Sequence, residues 1–206
     1  MMKTSRFLTF MFSVVMGTAS ANAATSSSLT IFGIPLGTSF TLSQCSYRRL
    51  DSSTIFYNPP SQGSCYEIIA SDGRTTLEAN DTVQVDWSTD EAPKLASGDS
   101  AIIQLLNGKV EGVGFNTMGV EFQQRDLQML VAKFGQPTTI KTPTVSNILG
   151  VVTQVIVATW NVDGIQVYFN SAEDGLDKGL VNIDTPTGIA YKKAALEKLD
   201  QQKTKL

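Results

Sequence analysis

Residues 101–115 read AIIQLLNGKVEGVGF, two apolar runs on either side of Asn107-Gly108. Asn-Gly takes up the paired positive φ values of a type I′ turn at little cost, so Ala101 to Leu106 and Lys109 to Phe115 are expected to form a β-hairpin. Upstream, Val83, Val85 and Trp87 alternate with Thr82, Gln84 and Asp86, the pattern of a strand with one apolar and one wetted face. Downstream, Leu127, Leu130, Val131 and Phe134 fall at i, i+3, i+4 and i+7, and Gly135 with Pro137 stops the pattern. Residues 121–134 therefore read as an amphipathic helix lying on a sheet.

Working outward, further strands are expected at Leu29 to Gly33, Ser53 to Tyr57, Cys65 to Ala70, Arg74 to Ala79, Val152 to Trp160, Ile165 to Asn170 and Leu180 to Ile183. Thr41-Leu42-Ser43-Gln44 has the form of a capping box, which predicts a short helix carrying Cys45. A second helix is expected from Thr187 onward, with Ile189, Leu196 and Leu199 available for one face. Ser88 to Asp99 is the candidate boundary or long loop, dividing the chain into halves 24–98 and 99–187. Each half then runs short helix followed by antiparallel strands. That order is not β-α-β alternation, and it predicts an α+β fold: an antiparallel sheet with short helices packed on one face, built as two similar helix-plus-strands modules and closed by a C-terminal helix.

The first 23 residues read as a secretory signal peptide. Lys3 and Arg6 precede a mostly apolar run from Phe7 to Val15, and Ala21-Asn22-Ala23 offers small residues for cleavage. The apolar run is too short for a membrane span. Export to the periplasm or beyond would place Cys45 and Cys65 in an oxidising compartment, where two cysteines at this separation are expected to form a structural disulfide worth roughly 3 kcal/mol. The mature chain would carry a net charge of −5, which argues against nucleic acid as a partner. Charge is uneven: residues 188–206 hold Lys192, Lys193, Lys198, Lys203 and Lys205 against Glu197 and Asp200. This basic C-terminal helix is either a solvated face or a contact for an anionic membrane surface.

Gly33-Ile34-Pro35-Leu36-Gly37 and Val131-Ala132-Lys133-Phe134-Gly135-Gln136-Pro137-Thr138, the second followed by Ala158-Thr159-Trp160-Asn161, resemble the helix, turn and antiparallel strands of small bacterial envelope proteins. These are the assembly lipoproteins of the SmpA/OmlA type and the β-lactamase-inhibitor-like fold, which repeats such a module in tandem. The chain departs from the former in lacking a lipid-attachment cysteine after residue 23. The resemblance implies a protein-binding module, an inhibitor or assembly factor, rather than an enzyme.

With no histidine there is no Ser-His or Cys-His pair and no histidine zinc site. The P-loop, nucleophile-elbow and serine-lysine signatures are missing too, so neither cofactor nor metal is expected. Glu173, Asp174 and Asp177 beside Gly175 do not fall at calcium-loop spacing and read as a solvated loop. Four aromatics are candidates for recognition. Trp87 and Trp160 end strands, where a ring either closes the core or anchors an interface. Phe56 and Tyr57 lie inside the disulfide loop, as a pre-organised contact or an edge strand. The expected function is non-catalytic binding of another envelope or extracellular protein. The alternative is a cell-wall hydrolase or glycan-binding protein using paired carboxylates or exposed aromatics.

Overall fold

A computed structural model describes residues 29–49, 55–57, 63–69, 75–88, 92–146, 150, 152–173 and 175–203. The expected signal peptide, the expected Pro59-Pro60 and Ser71–Gly73 turns, Asp174 and Lys205 lie outside the described residues. The fold is α+β. Short strands β1 (Thr30–Ile31) and β2 (Ile34–Pro35) form a hairpin, followed by a second hairpin of β3 (Tyr47–Arg49) and β4 (Ile55–Tyr57). Then come β5 (Ser64–Ile68), β6 (Asp81–Trp87), β7 (Ser100–Leu106) and β8 (Lys109–Thr117). A 3-10 turn at Val120–Phe122 leads into α1 (Gln123–Phe134). The chain continues through β9 (Thr139–Lys141), β10 (Thr144–Ser146), β11 (Val152–Gln154), β12 (Val157–Val162), β13 (Ile165–Asn170) and β14 (Gly179–Asp184), and ends in α2 (Pro186–Lys203).

Eight strands make one antiparallel sheet in the order β5-β6-β7-β8-β14-β13-β12-β9. It consists of two four-stranded groups, residues 64–117 and 139–184, joined where β8 pairs with β14. Ser88 to Asp99 is the loop connecting β6 to β7, two strands that pair directly, and it sends Leu95 and Ala96 into the core. The register explains which face is buried. Val83, Ile103, Val113, Ile183, Val167 and Trp160 are successive cross-strand partners, and all are buried. Leu130 and Phe134 of α1, and Ile31, Ile34 and Leu36 of the first hairpin, belong to the same core.

Two expected elements are absent, each for a physical reason. Residues 40–46 form no helix: Ser43 to Cys45 runs extended beside β5, with Cys45 N–H donating to Tyr66 O at 2.9 Å and Tyr66 N–H to Ser43 O at 3.0 Å. An edge strand with free amides and carbonyls, plus the Cys45–Cys65 bond, outcompetes the single turn that a capping box can nucleate. Thr75 to Ala79 is a loop rather than a strand. Asp81 accepts from the Glu78 and Thr82 amides, and Ala79 O accepts from Gly108 N–H, so this segment is spent on the end of the β7–β8 hairpin. The expected Val152 to Trp160 strand is also interrupted, at Val155 and Ile156. Both side chains are buried there, and Ile156 N–H is held by the Ser171 hydroxyl and the Gln123 side chain, each at 2.9 Å.

Helix ends follow local chemistry. Gly135 (φ 78°) closes α1 with its N–H on Val131 O, and its own carbonyl accepts the Trp160 indole N–H at 2.8 Å. The Phe134-Gly135-Gln136-Pro137 turn is thereby tied to β12. At α2, Thr185 caps the helix: its hydroxyl accepts Gly188 N–H and donates to the Glu111 carboxylate, while Pro186 occupies the first helical position. A Cβ at Gly188 would sit 2.2 Å from Glu111 O, so only glycine lets this turn approach β8 so closely.

Candidate functional site

The face of the sheet opposite the core is open. One row of cross-strand partners runs over all eight strands: Glu67, Gln84, Ile102, Gly114, Asn182, Tyr168, Thr159 and Thr139. The neighbouring row is Thr82, Gln104, Gly112, Asp184, Gln166 and Asn161. Most side chains in both rows are polar, five of them amides (Gln84, Asn182, Gln104, Gln166 and Asn161), and Ile102 stands among them 41% exposed. Gly112 and Gly114 put a floor of bare backbone in the middle, making a groove of about 390 Å³ lined by Gln84, Ile102, Gln104, Asn116, Leu180 and Asn182 among others. A Cβ at Gly114 would meet Asn182 Oδ1 at 2.7 Å, and one at Gly112 would meet Asp184 Oδ1 at 2.5 Å. The glycines thus keep the groove deep and let the flanking side chains lean over it.

This surface is polar but nearly without free charge. Asp184 is held by Lys192 of α2, whose Nζ lies 2.7 Å from Oδ1 and 2.8 Å from Oδ2. Asp86, 4% exposed, accepts from Gln84 Nε2 at 2.8 Å. Burial, followed by the Glu173 carboxylate, pushes the Tyr168 phenol above its ordinary value, so at neutral pH it is an uncharged hydroxyl. Such a face offers planar donors and acceptors, one phenol and two aliphatic side chains to a ligand.

The residues singled out from the sequence are distributed differently. Cys45 and Cys65 form the disulfide. Trp87 and Trp160 are buried in the core, the first against Phe32 and the second against Phe134, so neither ring is free to anchor an interface. Phe56 and Tyr57 sit on β4, and their side chains lie outside the described part of the molecule. Lys192 is engaged with Asp184, whereas Lys193 and Lys198 are exposed on α2, and the Lys203 side chain is not described. The most exposed large apolar side chains, Val152, Leu196, Ile140 and Leu199, are spread over β11, α2 and β9 rather than gathered in one patch.

Carboxylates approach each other at Glu67 and Asp86, which with Cys45 Sγ lie within 4.8 Å of one another. Cys45 is consumed by the disulfide, and two carboxylates fall well short of the six or more oxygens a calcium site takes. The 4% exposure of Asp86 also leaves little room for water to attack a substrate there. The open-face rows are not legible in the sequence, since the alternating polar positions that form them read only as solvated strand faces. No protein-family model, no curated protein and no solved structure matches the chain. Among the described residues no helix is long and apolar enough to cross a membrane.

Proposed function

We propose that this chain is an exported, non-catalytic binding module of the bacterial envelope, and that it grips another protein with the open face of its sheet. The observation carrying this reading is the glycine-floored groove at the centre of an eight-stranded sheet whose buried face is mainly apolar and whose open face is mainly polar. Interfaces of transient complexes are no more apolar than the rest of a protein surface, and amide- and tyrosine-rich contact faces recur in them. The scattering of exposed apolar residues is therefore compatible with a recognition surface. The disulfide supports export.

A second reading is favoured by the same amides. Gln84, Gln104, Asn116 and Asn182 around bare backbone would suit the hydroxyls of a glycan. Gly114→Arg separates these readings from a purely structural role, because the close contact of a Cβ there is with the Asn182 side-chain amide and not with backbone. Wild type and variant are compared for capture of envelope proteins and for retention on isolated cell-wall glycan. A protein held by wild type and lost with Gly114→Arg supports the first reading. Retention on glycan, lost in the variant, replaces it with the second, and equal behaviour of the two proteins in both assays refutes the groove as a contact site.

A further inference from the structure

On the buried side of the sheet, a cavity of about 270 Å³ opens between the β1–β2 hairpin, the loop before β7 and α1. Ile31 and Phe32 wall it from the hairpin, Leu95 from the loop, Met129 and Leu130 from the helix, and Phe115 from the sheet. Its only charged lining residues are Lys94 and Lys133, both exposed. Two of the nine basic residues between positions 24 and 187 thus border a cavity whose lining is otherwise apolar, and none of the 17 acids in that stretch does. Lys133 Nζ donates to Thr30 O at 3.1 Å, which uses one of its three protons and hangs the hairpin from α1. Phe32 reaches the cavity from a φ of 50°, a left-handed backbone that a bulky residue adopts only under compensation, and such strain collects at ligand clamps. Its ring is seated edge-on against Trp87 at 5.6 Å and Phe115 at 4.8 Å.

We propose that this cavity binds a single alkyl chain ending in a carboxylate, with the chain among Phe32, Leu95, Met129 and Phe115 and the carboxylate between Lys94 and Lys133. Apolar cavities of about 150 Å³ stay dry and accept benzene, so this one has room for roughly ten carbons. The site is on the opposite side of the sheet from the groove and does not depend on it.

The test is a calorimetric titration of the purified protein with sodium salts of straight-chain fatty acids below their micellar concentrations, with the matching primary alcohols as controls. Affinity is expected to rise about fourfold per methylene and to level off near ten carbons. The acid should bind about tenfold or more tightly than the alcohol of the same length. Lys94→Gln, which leaves the Lys133–Thr30 tether in place, should narrow the difference between acid and alcohol severalfold while leaving the alcohol's affinity unchanged. Met129→Trp, which fills the cavity from the partly exposed side of α1, should abolish binding of both. Both variants are checked for wild-type circular dichroism. The proposal is overturned if wild type binds no fatty acid, if folded Met129→Trp binds as wild type does, or if acid and alcohol bind wild type equally.

Discussion

Three hairpins in this chain turn on the same backbone: Phe32-Gly33 (φ 50° and 81°), Asn107-Gly108 (52° and 71°) and Asp163-Gly164 (50° and 82°). Only the first places a bulky residue where asparagine or aspartate belongs, and Phe32→Asn asks what holds it there. A left-handed conformation costs an ordinary residue about 1–2 kcal/mol, most of which asparagine recovers. Against that gain, the half-buried ring loses about 1.5 kcal/mol of burial. Its two edge-on contacts are worth about 0.5–1.5 kcal/mol each. The balance is a net destabilisation of about 2 kcal/mol despite a better turn. Equilibrium urea unfolding with the disulfide intact measures it as a lower midpoint at unchanged slope. The reciprocal Asn107→Phe should cost about 1–2 kcal/mol, since nothing comparable receives a ring there. If Phe32→Asn is neutral or stabilising, the ring contributes nothing to the hairpin's seat and the compensation argument fails.

Asp126 is fully buried in α1, and burial raises its carboxyl above the usual 3.8, with the Arg125 guanidinium pulling the other way. The folded protein therefore keeps this proton to a higher pH than the unfolded chain does, so stability should fall as pH rises from 3.8 through the raised value. Asp126→Asn should remove that fall, as read by urea midpoints from acid to neutral pH. Trp160→Phe deletes the buried indole donor and leaves Gly135 O without it, for a loss of about 3 kcal/mol and a melting temperature roughly 6–12 °C lower. If α2 contacts an anionic membrane, replacing Lys193, Lys198, Lys203 and Lys205 with alanine should weaken binding to anionic vesicles roughly a thousandfold, at about 1 kcal/mol per lysine. Equal binding of the two proteins at low salt removes the membrane role.

What the sequence made legible was local. Asn107-Gly108 marks its hairpin because asparagine and glycine tolerate positive φ, and the i, i+3, i+4, i+7 series marks α1 because its face must meet a sheet. The β1–β2 hairpin went unread, since Phe32 violates the rule that would announce it and is retained by tertiary contacts with Trp87 and Phe115. Thr41 to Gln44 misled for the converse reason: a helix-start pattern was overridden by pairing to β5. The β8–β14 pairing, which creates the groove floor at Gly112 and Gly114, links strands about seventy residues apart, and no local signal encodes such a partner.

The extended run beside Tyr66 also shapes the margins of the sheet. A β-sheet invites growth at its margins, and here each margin is blunted: at one, Ser43 to Cys45 is stapled over β5; at the other, β9 offers only three residues, one of them Lys141. The cystine therefore doubles as a seal against polymerisation. With the disulfide reduced, the Ser43 to Cys45 run would keep only its two backbone hydrogen bonds to Tyr66, and the edge beneath it would open more easily to strand addition by another copy.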